Sequence, residues 1–78
     1  MFYTMADAKR DFSLGYLGQY AIERNVLSPG WRVKIGPERN QVLHPLVDAR
    51  SKQWRLFKTL DAAVAALEEI GFDVNVLG

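Results

Sequence analysis

The 78-residue chain has no cysteine and a single histidine. That excludes disulfide staples, thiolate zinc sites and cysteine nucleophiles, and it leaves too few nitrogen and sulfur ligands for a metal centre. No apolar run approaches the roughly 18 residues of a membrane span, and the opening Met1-Phe2-Tyr3-Thr4 lacks the basic start of a secretory signal. Internal repeats and low-complexity stretches are missing too, so Pro29, Pro45 and the glycines mark turns rather than a linker. These absences predict one reduced, cytoplasmic domain over residues 1–78, with no cofactor, no metal, no membrane contact and no evident small-molecule substrate. What is present is a core, since 49% of the residues are apolar. A chain this short still buries only about 60% of its unfolded surface, so it is marginally stable and suited to leaning on a partner.

Thr4-Met5-Ala6-Asp7 predicts a helix start, with the Thr4 hydroxyl as cap and Asp7 placed to suit the helix dipole. Ala8 and Phe12 share its buried stripe, and Gly15 and Gly18 stop it near Ser13. The apolar period then falls to two, the strand signal. Tyr20 and Ile22 face one way, Ala21 and Glu23 the other, and Ser28-Pro29-Gly30 supplies a hairpin turn. Trp31, Val33 and Ile35 alternate with Arg32 and Lys34, the clearest half-buried strand. Residues 42–47 predict a third strand, restricted to an edge or bulge because Pro45 cannot donate to a ladder. Residues 53–57 predict a fourth. Thr59 caps a second helix whose Leu60, Ala63, Val64, Leu67 and Ile70 form one face, ended by Gly71 with Phe72 folded back. Alternation over 72–76 predicts a last strand. The expected class is α+β in the order α-β-β-β-β-α-β, a small antiparallel sheet with helices packed on one face.

Charge is segregated along the chain. Residues 24–58 hold eight cations against Glu38 and Asp48, a balance of +6, whereas residues 59–78 hold four carboxylates and no cation. On the helix-free sheet face Arg32 and Lys34 would stand about 7 Å apart, the spacing of successive phosphates. With Arg50, Lys52 and Arg55 they form the candidate contacts to DNA or RNA. The competing reading is a solvated strand face, since charged edges also prevent aggregation.

Catalytic arrangements are weaker. His44 and Asp48, with Ser28 or Ser51 as nucleophile, are separated by about 13 Å of strand. Glu68 and Glu69 are helix neighbours that point apart. Gly15-Tyr16-Leu17-Gly18 has the G-x-x-G form of a nucleic-acid clamp but an apolar middle, which suits a packed turn. The chain is therefore expected not to be an enzyme.

The aromatic residues point to a partner surface. Trp31 shares its face with Val33 and Ile35 and belongs to the core, whereas Trp54 and Phe57 point to opposite faces, so one of the two is exposed. If 53–57 were a free sheet edge, two copies would join there about a two-fold axis as a homodimer.

The stretches 8–17 and 54–72, together with Gly30-Trp31, resemble short accessory proteins of bacterial plasmids and integrative elements, some of partition or maintenance type. The resemblance covers about half the chain and rests on caps, core leucines and glycines. It implies a mobile-element protein that acts by binding and carries no catalytic residue across. Two expectations follow. One is a non-enzymatic module whose basic sheet face binds nucleic acid. The other is a protein-interaction module, a dimeric adaptor or an inhibitor of a host protein, with Trp54 and Phe57 as partner contacts.

Overall fold

Thr4 sets the first helix. Its hydroxyl accepts from the Asp7 amide at 3.2 Å, satisfying one of the amides that a helix start leaves without a partner, and α1 runs Met5–Ser13. The computed structural model describes residues 2–37 and 42–74. After α1 the chain reverses through Gly15, at φ +83°, into β1, Gln19–Arg24, and β2, Trp31–Gly36. These pair antiparallel with Tyr20 opposite Ile35 and Glu23 opposite Arg32. The hairpin closes where the Asn25 amide donates to the Gly30 carbonyl at 2.9 Å, and Gly30 takes φ +141°, a value side chains rarely adopt.

The rest of the sheet is shorter than expected. Only His44–Pro45 forms a ladder, β3, opposite Ile35 and Lys34, and the sheet order is β1-β2-β3. Pro45 has no N–H to give. The flanking groups find partners elsewhere, since the Leu46 amide donates to Val33 and the Val47 amide to Tyr3. As the last strand in the sheet order, β3 puts Pro45 at an edge, and Tyr3 runs along its outer side, bridging Leu46 in parallel and donating its amide to the Pro45 carbonyl at 2.9 Å.

Residues 53–57 form no strand. An isolated bridge from Phe57 to Trp31 ties them to β2, and another from Trp54 to Val47 ties them to the segment after β3. A tight reversal brings them there, with Lys52 donating to the Asp48 carbonyl and standing at φ +60°. Residues 72–74 are not strand either, and 75–76 lie outside the described residues. The architecture is α+β with three strands among the described residues, not five. The edge expected to join two copies is not a sheet edge here.

The second helix, α2, spans Leu60–Ile70, with the Thr59 hydroxyl accepting from Ala62 at 3.1 Å. It covers the sheet face of Val33 and Ile35, both fully buried, with Ala63, Ala66, Leu67 and Ile70. Leu60 belongs to the same angular sector, but it sits one residue after the cap and stays 37% exposed. Ala66 takes the buried place instead. Phe72 packs edge-on to Phe12 at 4.8 Å and to Tyr20 at 5.4 Å, tying the exit of α2 to α1 and β1.

Tyr3 is buried, and that burial, followed by the nearby Asp11 charge, raises its pKa above the ordinary value of 10.0. The unfolded chain ionises this hydroxyl first, so the stability it leaves intact below pH 10 is lost as pH rises toward the raised folded value. Urea midpoints compared at pH ~8 and ~11 should fall more for the native chain than for Tyr3→Phe. An equal fall would show that Tyr3 is not the group responsible.

Candidate functional site

On the sheet face away from the helices, strand alternation places Arg32 and Lys34 of β2 beside Glu23 of β1. Lys34 Nζ lies 3.1 Å from Glu23 Oε2, and Arg32 Nε lies 3.5 Å from Oε1. Two cations on alternate positions repel, and a single carboxylate between them offsets this. Trp54 completes the group. Its bridge to Val47 puts the indole on this face, with the Arg32 guanidinium 4.6 Å and Lys34 Nζ 5.9 Å from a ring centroid.

The other expected nucleic-acid contacts do not join them. Arg55 lies over Phe57 at 5.5 Å and Lys52 over Phe2 at 5.7 Å. Arg50 sits on the reversal, where its amide donates to Asp48 Oδ1. Arg24 lies over Trp31, its cross-strand partner. Each of these cations except Arg50 therefore rests on an aromatic ring. Long basic side chains lay their methylenes along apolar surface and keep the charge wet, which suits a small core with wide margins.

Phe57 is 8% exposed and packs in the core. It exchanges two 2.8 Å hydrogen bonds with Trp31 through the backbone. Trp54 is the outer of the two, beside Arg32 and Lys34, and Phe57 is the buried one.

Beside Trp54 the sheet end forms a concavity of about 430 Å³, walled by Leu27, Leu56, Arg32 and the indole, with Asn25, Ser28 and Gln53 at its rim. Leu27 is 94% exposed and its neighbour Val26 88%. The Asn25 side-chain amide donates to Ser28 Oγ at 2.8 Å, pinning the loop that carries them. The signal was present in the sequence, since two branched aliphatic residues precede Ser28-Pro29-Gly30 where turn chemistry favours polar ones.

The arrangements weighed for catalysis stay apart. His44 stands opposite Ile35, its ring 6.2 Å from that of Tyr3, while the Asp48 carboxylate accepts from Arg50. Glu69 pairs with Lys9 at 3.2 Å. In the Gly15–Gly18 turn, Leu17 is buried and Tyr16 exposed. Among the described residues no group of three or more His, Asp or Glu side chains could hold a metal ion, and no helix is long and apolar enough to cross a membrane. Compared with protein-family models, curated proteins and solved structures, the chain matches none.

Proposed function

We propose that this chain is a non-enzymatic protein-interaction module that receives a partner's apolar side chains at the hairpin end of its outer sheet face. The observation that carries this is the pair Val26 and Leu27, almost fully exposed beside the groove of Trp54 and Leu56. Burying one such aliphatic side chain stabilises a complex by about 1.5–3 kcal/mol, and tryptophan and arginine are enriched among the residues that dominate interface energies. The basic-face reading is weakened by Glu23, which reduces the local charge of Arg32 and Lys34 to +1.

Selection of displayed peptides against the immobilised chain tests the proposal. Enriched peptides should lose about tenfold or more in affinity on Leu27→Ser and on Trp54→Ala, with each variant still melting cooperatively. Peptides indifferent to both changes would overturn it.

Nucleic acid remains the second reading because Arg50, Lys52, Arg55 and Lys58 are exposed and have no carboxylate partner among the described residues. If all four met duplex phosphates, log K against log salt would fall with a slope near −3.6, about 0.9 per contact. The protein-interaction reading expects no saturable binding to duplex DNA at ~50 mM salt.

A further inference from the structure

Arg32 differs from the other groove residues in what it leaves unused. Its guanidinium is set in place by the Trp54 ring at 4.6 Å and by Glu23 Oε1 at 3.5 Å from Nε. Nε is buried without a hydrogen-bond partner, and no described residue accepts from the rest of the group. A guanidinium presents five N–H donors in a planar fork that fits a carboxylate. This one is already oriented, so little side-chain entropy is lost when it is used. Its neighbours in the groove are Leu27, Leu56 and Trp54, which suit an aliphatic side chain. The surrounding charge, two cations against Glu23, matches one monoanion.

We infer that the groove recognises an aliphatic residue carrying or adjoining a carboxylate, with Leu27, Leu56 and Trp54 taking the side chain and Arg32 donating to the carboxylate. The inference rests on the protein-interaction reading and names what that partner presents. The carboxylate belongs either to a chain terminus or to a neighbouring acidic residue, and both offer the same chemistry.

The test follows the Arg32 Nε–H, the Trp54 indole N–H and the Leu27 and Leu56 methyl signals by NMR. Four probes are titrated into the intact chain. N-acetyl-leucine represents a terminus, and N-acetyl-leucyl-aspartic acid α-amide represents an internal acidic residue. Their uncharged counterparts are N-acetyl-leucinamide and N-acetyl-leucyl-asparagine amide. At least one acid should move all the signals saturably with Kd near ~1 mM, as expected of a fragment this small, and its uncharged counterpart should bind about tenfold more weakly. Which acid binds identifies the source. Arg32→Gln should bring acid and amide to equal affinity. Arg32→Lys, which keeps the charge and removes the fork, serves the same comparison if the glutamine variant does not fold.

Equal binding of acid and amide to the native chain would overturn the carboxylate inference and leave the apolar docking reading standing. No movement with any probe up to ~20 mM, or acetate moving Arg32 as far as the acids do, would overturn the inference as well. So would a spectrum that changes with protein concentration alone, because a second copy would then occupy the groove.

Discussion

Gly71→Ala is expected to destabilise the chain by about 2–4 kcal/mol, most of the stability of a domain this small. Two costs combine. Gly71 ends α2 at φ +135°, where a side chain costs about 1 kcal/mol. A Cβ built there also lies 2.5 Å from two Phe12 ring carbons, so the ring that packs against Phe72 must move, and overpacking of this kind costs about 1–3 kcal/mol more. The two costs separate in a double-mutant cycle. In a Phe12→Ala background the steric part disappears, and Gly71→Ala should cost only about 1 kcal/mol in a urea melt. The same cost in both backgrounds would show that Phe12 is not what restrains this position.

Gly71 also illustrates which parts of the fold were legible in the sequence. Both helices were, from cap to cap, because Thr4, Thr59 and Gly71 act on amides and carbonyls within a few residues. The β1-β2 hairpin was legible for the same reason, since its register depends on a short turn and local alternation. Beyond β2 the pairing depends on partners far along the chain. Leu46 is held by Val33 and Tyr3, and Phe57 by Trp31. No local period distinguishes a full strand from a segment that touches the sheet at one residue. The candidate site was less legible, for a different reason. Along the chain charge shows only its sign and order, whereas in the fold Glu23 pairs with Arg32 and Lys34, and Arg55 and Lys52 lie over aromatic rings. The groove is not legible because Val26 and Leu27 lie in the connection between β1 and β2, where the alternation that marks buried positions stops.

The face assignment of residues 54–57 has the sharpest mutational consequence. Phe57→Glu is expected to abolish cooperative folding, and Trp54→Glu to leave it. Phe57 lies among the buried residues of the core and is 8% exposed. The Arg55 guanidinium lies over the Phe57 ring at 5.5 Å from its centroid and Arg24 over Trp31 at 5.4 Å, but a carboxylate in place of the ring would still be taken out of water. Losing the ring costs about 3–5 kcal/mol, and desolvating a carboxylate adds to that even beside Arg55, which exceeds what a chain of this length holds in reserve. At position 54 the carboxylate would face Arg32 and Lys34, which already flank the indole, so lost packing is offset by new ion pairs and the net cost should stay near 1–2 kcal/mol. Thermal melts followed by near-ultraviolet circular dichroism, with Trp31 as reporter in the Trp54 variant, distinguish the two. A cooperative transition in Phe57→Glu within about 1 kcal/mol of the native chain would place Phe57 outside the core. The bridge to Trp31 would then have to be redrawn, and the exposed-aromatic surface would shift from Trp54 to Phe57.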